Sequence, residues 1–237
     1  MNTKKSSTNF ISKMKPHFDK NSIVRLAFYV FVLIAIVIKG SIFLGFALNT
    51  DAYNLDFSLG FKEASYFRNY YISFAAIFLS ICLLFKNRGK FIALIIIDLI
   101  ITILCLLDIM YFRGFQTVPS VLLFSQTANL DNLGGSILSM ISSQDFWFFA
   151  DFIILIIAYI FFKKSFKKAK CNFIGFLITL ILSISYIAYV PFNLYVLKNE
   201  DVKNGYLFSN YDPTNTVTYF SPVGYHVMDV INTIKNS

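Results

Sequence analysis

The order of apolar and polar positions divides the chain into five long apolar runs separated by polar segments. The runs lie at about residues 23–48, 70–85, 91–111, 146–162 and 172–194. Most of them approach or exceed the roughly 17 to 25 apolar residues that a helix needs to cross a bilayer. A soluble protein could not bury them all. The pattern predicts an all-α membrane protein: a bundle of five transmembrane helices with short interfacial amphipathic helices on its outer face.

Basic residues are concentrated in three of the polar segments: before the first run, between the second and third, and between the fourth and fifth. These segments must share one side of the membrane, and the positive-inside rule assigns that side to the cytoplasm. The other loops and the tail hold nine of the thirteen acidic residues. We therefore expect a multi-pass protein of the cell membrane, with a cytoplasmic N-terminus (residues 1–22), a membrane domain (23–194) and an extracellular linker (195–237).

Composition narrows the class further. The formal net charge of +8 is explained by lysines and arginines beside membrane helices, where they set topology and attract anionic lipid, so no nucleic-acid partner is expected. A hydrophobic content of 57% leaves little chain for a soluble domain. The three cysteines lie in or beside apolar runs, and no Cys/His cluster has metal-ligand spacing, so we expect neither a disulfide framework nor a metal site.

Three shorter segments have amphipathic spacing outside the spans. Two of them, at about residues 118–128 and 133–142, are too short to cross the membrane and are predicted to lie flat on the outer leaflet. The third, at about 222–235, begins at Ser221 and Pro222, a good N-cap and N1 pair. We expect it to rest on the membrane surface or on another domain. His226 and Asp229 on it are predicted to form a surface polar pair.

Four ionisable side chains fall inside the spans, where burial is costly and requires partners, water or a role. Counting along the helices at about 1.5 Å per residue places Lys39, Asp108 and Asp151 at similar depth. Two interpretations stay open: a pocket in which Lys39 contacts a lipid phosphate while Asp108 and Asp151 hold it in place, or a structural ion pair that pins the first, third and fourth spans together. Asp98 lies deeper and has no obvious basic partner, which favours a neutral carboxyl bonded to a neighbouring helix.

Several short segments, read in order, carry a family resemblance. They are residues 38–40 (IKG), 56–62 (DFSLGFK), 111–115 (YFRGF), 126, 129, 134–135, 145–146, 151, 219–222 (YFSP), 225 and 229–235. In order and spacing they resemble the membrane portion of lipoteichoic acid synthases, the polyglycerol-phosphate polymerases of Gram-positive bacteria. The resemblance runs from about residue 25 to the last residue.

The resemblance implies a membrane domain that positions phosphatidylglycerol, or the glycolipid-anchored chain, for glycerol-phosphate transfer at the outer leaflet in cell-wall polymer synthesis. It implicates Lys39, Arg113, Gln126, Asn129 and Asp151. The predicted headgroup site adds Arg68 on chemistry alone, because a guanidinium at the outer rim of the second span suits a phosphate. Its members are Lys39, Arg68, Arg113, Gln126 and Asn129, with Asp108 and Asp151 as a supporting polar network.

The resemblance also implies that family members carry an external sulfatase-like domain after the membrane domain. That domain binds a divalent metal, usually manganese, and carries a threonine nucleophile. Neither the nucleophile nor the metal ligands occur in this sequence, so no catalytic residue, cofactor or transferase activity is expected of this chain alone. An external catalytic domain is expected to act with it, in cis or in trans. A natural truncated paralogue and a fragment of a longer protein both fit this sequence.

Two other classes stay open. An inert membrane scaffold or regulator would need only the apolar helix faces and the cytoplasmic lysines. A small transporter should show an internal repeat or broken helices, and the sequence shows neither.

Overall fold

The computed structural model describes residues 19–125, 139–209 and 211–236. These residues are mostly helical, and no strand occurs among them. Five helical segments are long and apolar enough to cross a membrane, which confirms the predicted fold class. The α-helices, numbered in chain order, are α1 (Lys20–Ala47), α2 (Phe57–Ser80), α3 (Gly89–Phe115), α4 (Val121–Ser125), α5 (Ala150–Phe162), α6 (Phe173–Pro191), α7 (Tyr206–Ser209) and α8 (Pro213–Asn236).

Short helical turns of other types extend three of the spanning segments. A 3₁₀ turn, Ile81–Leu84, continues α2, and 3₁₀ turns at Ser143–Phe149 and Lys163–Phe166 flank α5. A π-helical turn, Phe192–Val196, continues α6. With these turns included, the fourth and fifth spanning segments run over Ser143–Phe166 and Phe173–Val196.

The second spanning segment begins at Phe57, well before the apolar run that starts near residue 70. Asp56 caps this helix by accepting a hydrogen bond from the Leu59 amide at 2.9 Å. The first turns contain polar side chains, so hydropathy does not reveal them, but they pack closely on α1. A Cβ atom at Gly60 would overlap the carbonyl oxygen of Ser41. Glycine therefore permits the backbone contact that sets the distance between α1 and α2.

Helices α1, α2 and α3 form the centre of the bundle, while α5 and α6 lie at its periphery. In α5 only Leu155 is buried, and in α6 only Ser183 and Val190 are. The exposed isoleucine and phenylalanine side chains of both helices suit a lipid environment, because lipid tails are as apolar as those side chains. Helix α5 packs against α1, and α6 packs against α2.

The tail helix α8 packs on the bundle itself, in contact with α1, α2 and α3. The prediction of a helix on the membrane surface or on another domain did not include this contact with the bundle. Phe220 and Tyr225 of α8 are fully buried, whereas Ile231 and Ile234 of the predicted apolar face are exposed. Val223 of that predicted face is buried, but the face that packs on the bundle also contains aromatic rings and hydrogen-bonded polar groups, which an aliphatic pattern does not reveal.

Helix α8 also begins earlier than its apolar pattern suggests, at Pro213, and is interrupted at Ser221 (φ 67°, ψ 168°). The Gly224 amide donates to Ser221 Oγ at 3.4 Å, so Ser221 starts the second half of the helix as the Ser-Pro pair predicts. Of the first predicted interfacial helix (about 118–128), Val121–Ser125 are helical as α4, 118–120 are not, and 126–128 lie outside the described part. The second lies largely in residues 126–138, which are also outside it. Residues 139–142, at its end, form a turn and irregular chain.

Candidate functional site

Lys39 lies inside the bundle between two carboxylates, with 2% of its surface exposed. Its Nζ donates to Asp98 Oδ1 at 2.6 Å and to Asp151 Oδ2 at 2.9 Å, and it lies 4.6 Å from the ring centre of Phe152. These contacts join α1, α3 and α5. Mutual attraction offsets the cost of removing the charges from water. The ion pair that pins the first, third and fourth spans is present, with Asp98 in the place predicted for Asp108.

The prediction that Asp98 has no basic partner is wrong. The prediction compared the depths of Cα atoms only, but side chains on a helix lean toward its N-terminus, and lysine has a long, flexible stem. The Lys39 ammonium group therefore lies nearer the start of α1 than the Lys39 Cα does. It reaches Asp98, which lies closer to the start of α3 than Asp108 does. The two other carboxylate oxygens, Asp98 Oδ2 and Asp151 Oδ1, are buried without a hydrogen-bond partner in the described part of the chain.

Arg113, at the end of α3, forms a second buried cluster. Its guanidinium binds Asp145 through two bonds, Nη1 to Oδ2 at 2.8 Å and Nη2 to Oδ1 at 2.6 Å. It also donates to the carbonyl oxygens of Met140 at 2.7 Å and Ala52 at 3.0 Å. The arginine thus ties the loop after α1 and the start of the fourth span to the end of α3. Its charge is neutralised within the protein and is not presented to a ligand.

Asp108 and His226 form a third pair, and the contacts of Lys39 are with Asp98 and Asp151 instead. His226 Nε2 lies 3.0 Å from both carboxylate oxygens of Asp108, which is almost fully buried. The prediction that Asp108 supports Lys39 is therefore wrong, and so is the predicted surface pair of His226 with Asp229. One turn of helix separates His226 from Asp229, yet each reaches a different part of the bundle.

Asp229 holds the segment at α4 against the tail. Its carboxylate accepts hydrogen bonds from the Val121 amide at 2.6 Å, Ser120 Oγ at 2.9 Å and the Tyr211 hydroxyl at 2.5 Å. Burial, and then the hydrogen bond to Asp229, raises the pKa of Tyr211 well above its ordinary value. Tyr211 therefore remains a hydrogen-bond donor at physiological pH.

Two further tyrosines fasten α8 through backbone carbonyls. Tyr71 of α2 donates to Thr218 O at 2.8 Å, and Tyr225 donates to Val118 O at 3.3 Å. Burial raises the pKa of Tyr225, which keeps this donor protonated as well. Together with the Asp108–His226 pair and the bonds of Asp229, these interactions make up what we call the tail contact.

The structure does not bring the three described headgroup residues, Lys39, Arg68 and Arg113, into one site. Lys39 and Arg113 are buried in separate clusters, each paired with carboxylates. Arg68 is exposed on the polar half of α2 and has no ion-pair partner within the described ranges. Gln126 and Asn129 lie outside the described residues. Nor do the described residues contain a group of three or more His, Cys, Asp or Glu side chains that could hold a metal.

Comparison with known proteins decides the family. The family model described as the lipoteichoic acid synthase N-terminal domain matches residues 8–237. This chain belongs to that family. The resemblance inferred from the short segments is thereby confirmed.

Relatives of this N-terminal domain include the lipoteichoic acid synthase of Staphylococcus saprophyticus, 28% identical over 228 residues, which cover 94% of this chain and 33% of the relative. The lipoteichoic acid synthase of Staphylococcus aureus is 26% identical over 223 residues, which cover 92% of this chain and 32% of the relative. The chain thus spans about a third of the length of these relatives. No solved structure matches it.

Some of the ion-pair and hydrogen-bond partners that sequence reasoning missed lie in the segments that carry the resemblance. Arg113 and Asp145 lie in two of these segments, and Tyr225 and Asp229 lie in others. Taking these charged and aromatic residues as contact partners, instead of as separate headgroup candidates, could have identified the Arg113–Asp145 pair. Nothing comparable marked His226 as the partner of Asp108, because Asp108 lies in no such segment.

Proposed function

We propose that this chain is the positioning domain of a lipoteichoic acid synthase-like system. It anchors an external catalytic domain to the cell membrane and holds it over the outer leaflet. There, phosphatidylglycerol or the glycolipid-anchored chain takes part in glycerol-phosphate transfer. This function requires the cytoplasmic N-terminus and extracellular C-terminus that the distribution of basic residues predicts.

The tail contact is the observation that carries the proposal. A helix that only linked two domains would need no buried polar partners, yet α8 carries the buried, hydrogen-bonded Asp229 and pairs its His226 with the buried Asp108 of α3. Leaving such groups without partners costs about 1–3 kcal/mol each, so the docked position is strongly specified. The family is an N-terminal domain and the relatives are about three times longer, so α8 leads toward their remaining two thirds. A docked α8 would orient that part relative to the membrane.

The roles of the predicted headgroup residues change under this proposal. Lys39 and Arg113 act by making the bundle rigid, since their charges are neutralised internally. Arg68 keeps an exposed guanidinium and remains a candidate for contact with a lipid phosphate. Gln126 and Asn129 remain candidates on the resemblance alone.

A chimera tests the proposal. This chain would replace the matching third of the Staphylococcus saprophyticus synthase, and lipoteichoic acid would be measured in cells depleted of their own synthase. We expect polymer from the chimera, and a loss of at least severalfold in Asp229→Leu, because that change removes every hydrogen bond that the carboxylate makes. Val230→Ala, at an exposed neighbouring position, is the matched control and should leave polymer unchanged.

Membrane levels of each chimera would be measured alongside the polymer. A chimera with Asp229→Leu that makes as much polymer as the unmodified chimera would contradict the positioning role. The chain alone, supplied with phosphatidylglycerol and manganese, should release no diacylglycerol. Turnover above a metal-free control would show that the chain itself is catalytic.

A further inference from the structure

A cavity of about 730 Å³ lies between α2, α6, α7 and α8, apart from the three ion-pair clusters. Its inner wall is apolar and includes Phe74 and Ile77 of α2, Ile184 and Ile187 of α6, and Phe220 of α8. Ile184 is half exposed, so the cavity opens on the side of the bundle, where lipid chains lie in a membrane. Its volume falls in the range of about 300–1,000 Å³ that is typical of small-molecule sites.

Polarity changes along the cavity. Tyr195 and Lys235 lie at one end, with Lys235 Nζ 5.5 Å from the centre of the Tyr195 ring. Ile184 lies three helical turns earlier on α6, which at about 1.5 Å per residue is some 16 Å deeper in the bundle. The cavity is thus cationic and aromatic at its rim and apolar at its base. A phospholipid has the same arrangement, an anionic phosphate at one end and a hydrocarbon chain at the other.

Lys235 differs from the two buried cations, Lys39 and Arg113, in having no ion-pair partner among the described residues. Lys39 and Arg113 are paired with carboxylates, whereas Lys235 is exposed and has no carboxylate within ion-pair distance in the described part of the chain. A lysine near the membrane surface attracts anionic lipid, and a tyrosine beside it prefers the level of the headgroups. The rim therefore offers a free cation at the height where a phosphate would lie.

Contacts among the lining residues hold the walls of the cavity in place. Phe220 packs against the rings of Phe74 at 5.7 Å and Phe208 at 5.1 Å between centroids. The Tyr195 hydroxyl donates to Phe208 O at 2.5 Å, which joins the end of α6 to α7. A preformed cavity lowers the ordering cost of binding.

We propose that this cavity binds one phospholipid of the leaflet at its end of the bundle, with an acyl chain inside and the phosphate at Lys235. The inference deepens the proposed function, on which it rests for the external orientation of this leaflet, by giving the domain a lipid site. An acyl chain leaves a bilayer that is as apolar as the cavity wall, so burial of the chain does not discriminate between lipids. Selectivity comes from Lys235 and favours an anionic headgroup over a zwitterionic one by about fivefold.

Native mass spectrometry of the full purified chain would test this site, with phosphatidylglycerol, phosphatidylcholine or diacylglycerol added at equal concentration. We expect one tightly bound phosphatidylglycerol, about fivefold less phosphatidylcholine and the least diacylglycerol. Lys235→Gln should remove the preference for phosphatidylglycerol. Ala188→Phe, which adds a ring at a lining position, should lower occupancy by both phospholipids.

Two variants serve as matched controls. Lys203→Gln removes an exposed lysine outside the cavity, and Ile157→Phe adds a ring to the exposed face of α5. Both should bind lipid as the unmodified chain does. The unmodified chain itself provides a test that needs no variant: equal binding of phosphatidylglycerol and phosphatidylcholine would overturn the proposal.

Other outcomes would also overturn the proposal. Lys235→Gln that keeps the preference, or Ala188→Phe with unchanged occupancy, would exclude this cavity as the site. A dimer of the chain that Ala188→Phe converts to monomer, with no effect on lipid, would assign the cavity to a second copy. An unmodified chimera that makes polymer but does not bind phosphatidylglycerol selectively would reject the site and leave the positioning role intact. Selective binding in a chimera that makes no polymer would do the reverse.

Discussion

Removing the lysine at the centre of the bundle should be far more harmful than removing one of its acids. In Lys39→Met, the carboxylates of Asp98 and Asp151 lose the ammonium group that lies 2.6 Å and 2.9 Å away, in a site that water does not reach. Breaking a buried pair by deleting one partner costs about 3–5 kcal/mol. Asp151→Asn keeps the shorter pair and removes an excess negative charge, so it should cost about 1 kcal/mol.

Thermal unfolding of the purified chain in detergent measures this difference. For a chain of this length, 1 kcal/mol corresponds to about 2–4 °C in Tm, so Lys39→Met should lower Tm by roughly 6–20 °C and Asp151→Asn by a few degrees. Trp147, the single tryptophan, has its ring centre 5.1 Å from that of Phe57 and provides a fluorescence signal at the contact between the fourth span and α2. The double variant Lys39→Met with Asp98→Asn should recover part of the loss, because it removes one unpaired charge.

The ordering of the variants matters more than the absolute values. If Lys39→Met is as stable as the unmodified chain, the ion pair does not hold the three spans together. If Asp151→Asn costs as much as Lys39→Met, the reasoning from charge balance is refuted. A Lys39→Arg variant helps to separate charge from shape, since it retains the cation with a different geometry.

Three further predictions concern other parts of the bundle. Arg113→Lys should lower stability by about 2 kcal/mol, because a lysine cannot make the forked contact with Asp145, and an unchanged Tm would contradict this. Gly60→Val should prevent α1 and α2 from packing and abolish a monodisperse elution profile, whereas Gly89→Ala, whose Cβ would meet nothing closer than 3.8 Å, should be tolerated. A reporter fused after the tail helix should be active on the external side of the membrane only, and cytosolic activity would reverse the proposed orientation.

Hydropathy was sufficient for the five spans, because a bilayer accepts apolar segments of this length only as helices whose backbone bonds are satisfied internally. It failed at the start of α2, where polar side chains occupy the first turns and the helix depends on the Asp56 cap and on the contact between Gly60 and α1. It also failed for part of α8, whose buried face includes aromatic rings and hydrogen-bonded polar groups beside Val217 and Val223. Membrane insertion depends on the residues of a single segment, whereas the start of α2 and the buried face of α8 depend on contacts with other helices.

The sequence by itself determined the fold class, the number of spans and the family. It also identified Lys39, Arg113 and Asp151 as candidate site residues. Only the tertiary structure decided their partners: Asp98 for Lys39, Asp145 for Arg113, and His226 for Asp108, which is 118 residues away. The physical reason is distance. Whether a segment enters the membrane depends on its own residues, but an ion pair forms within about 3 Å, and both helix rotation and side-chain reach change on that scale.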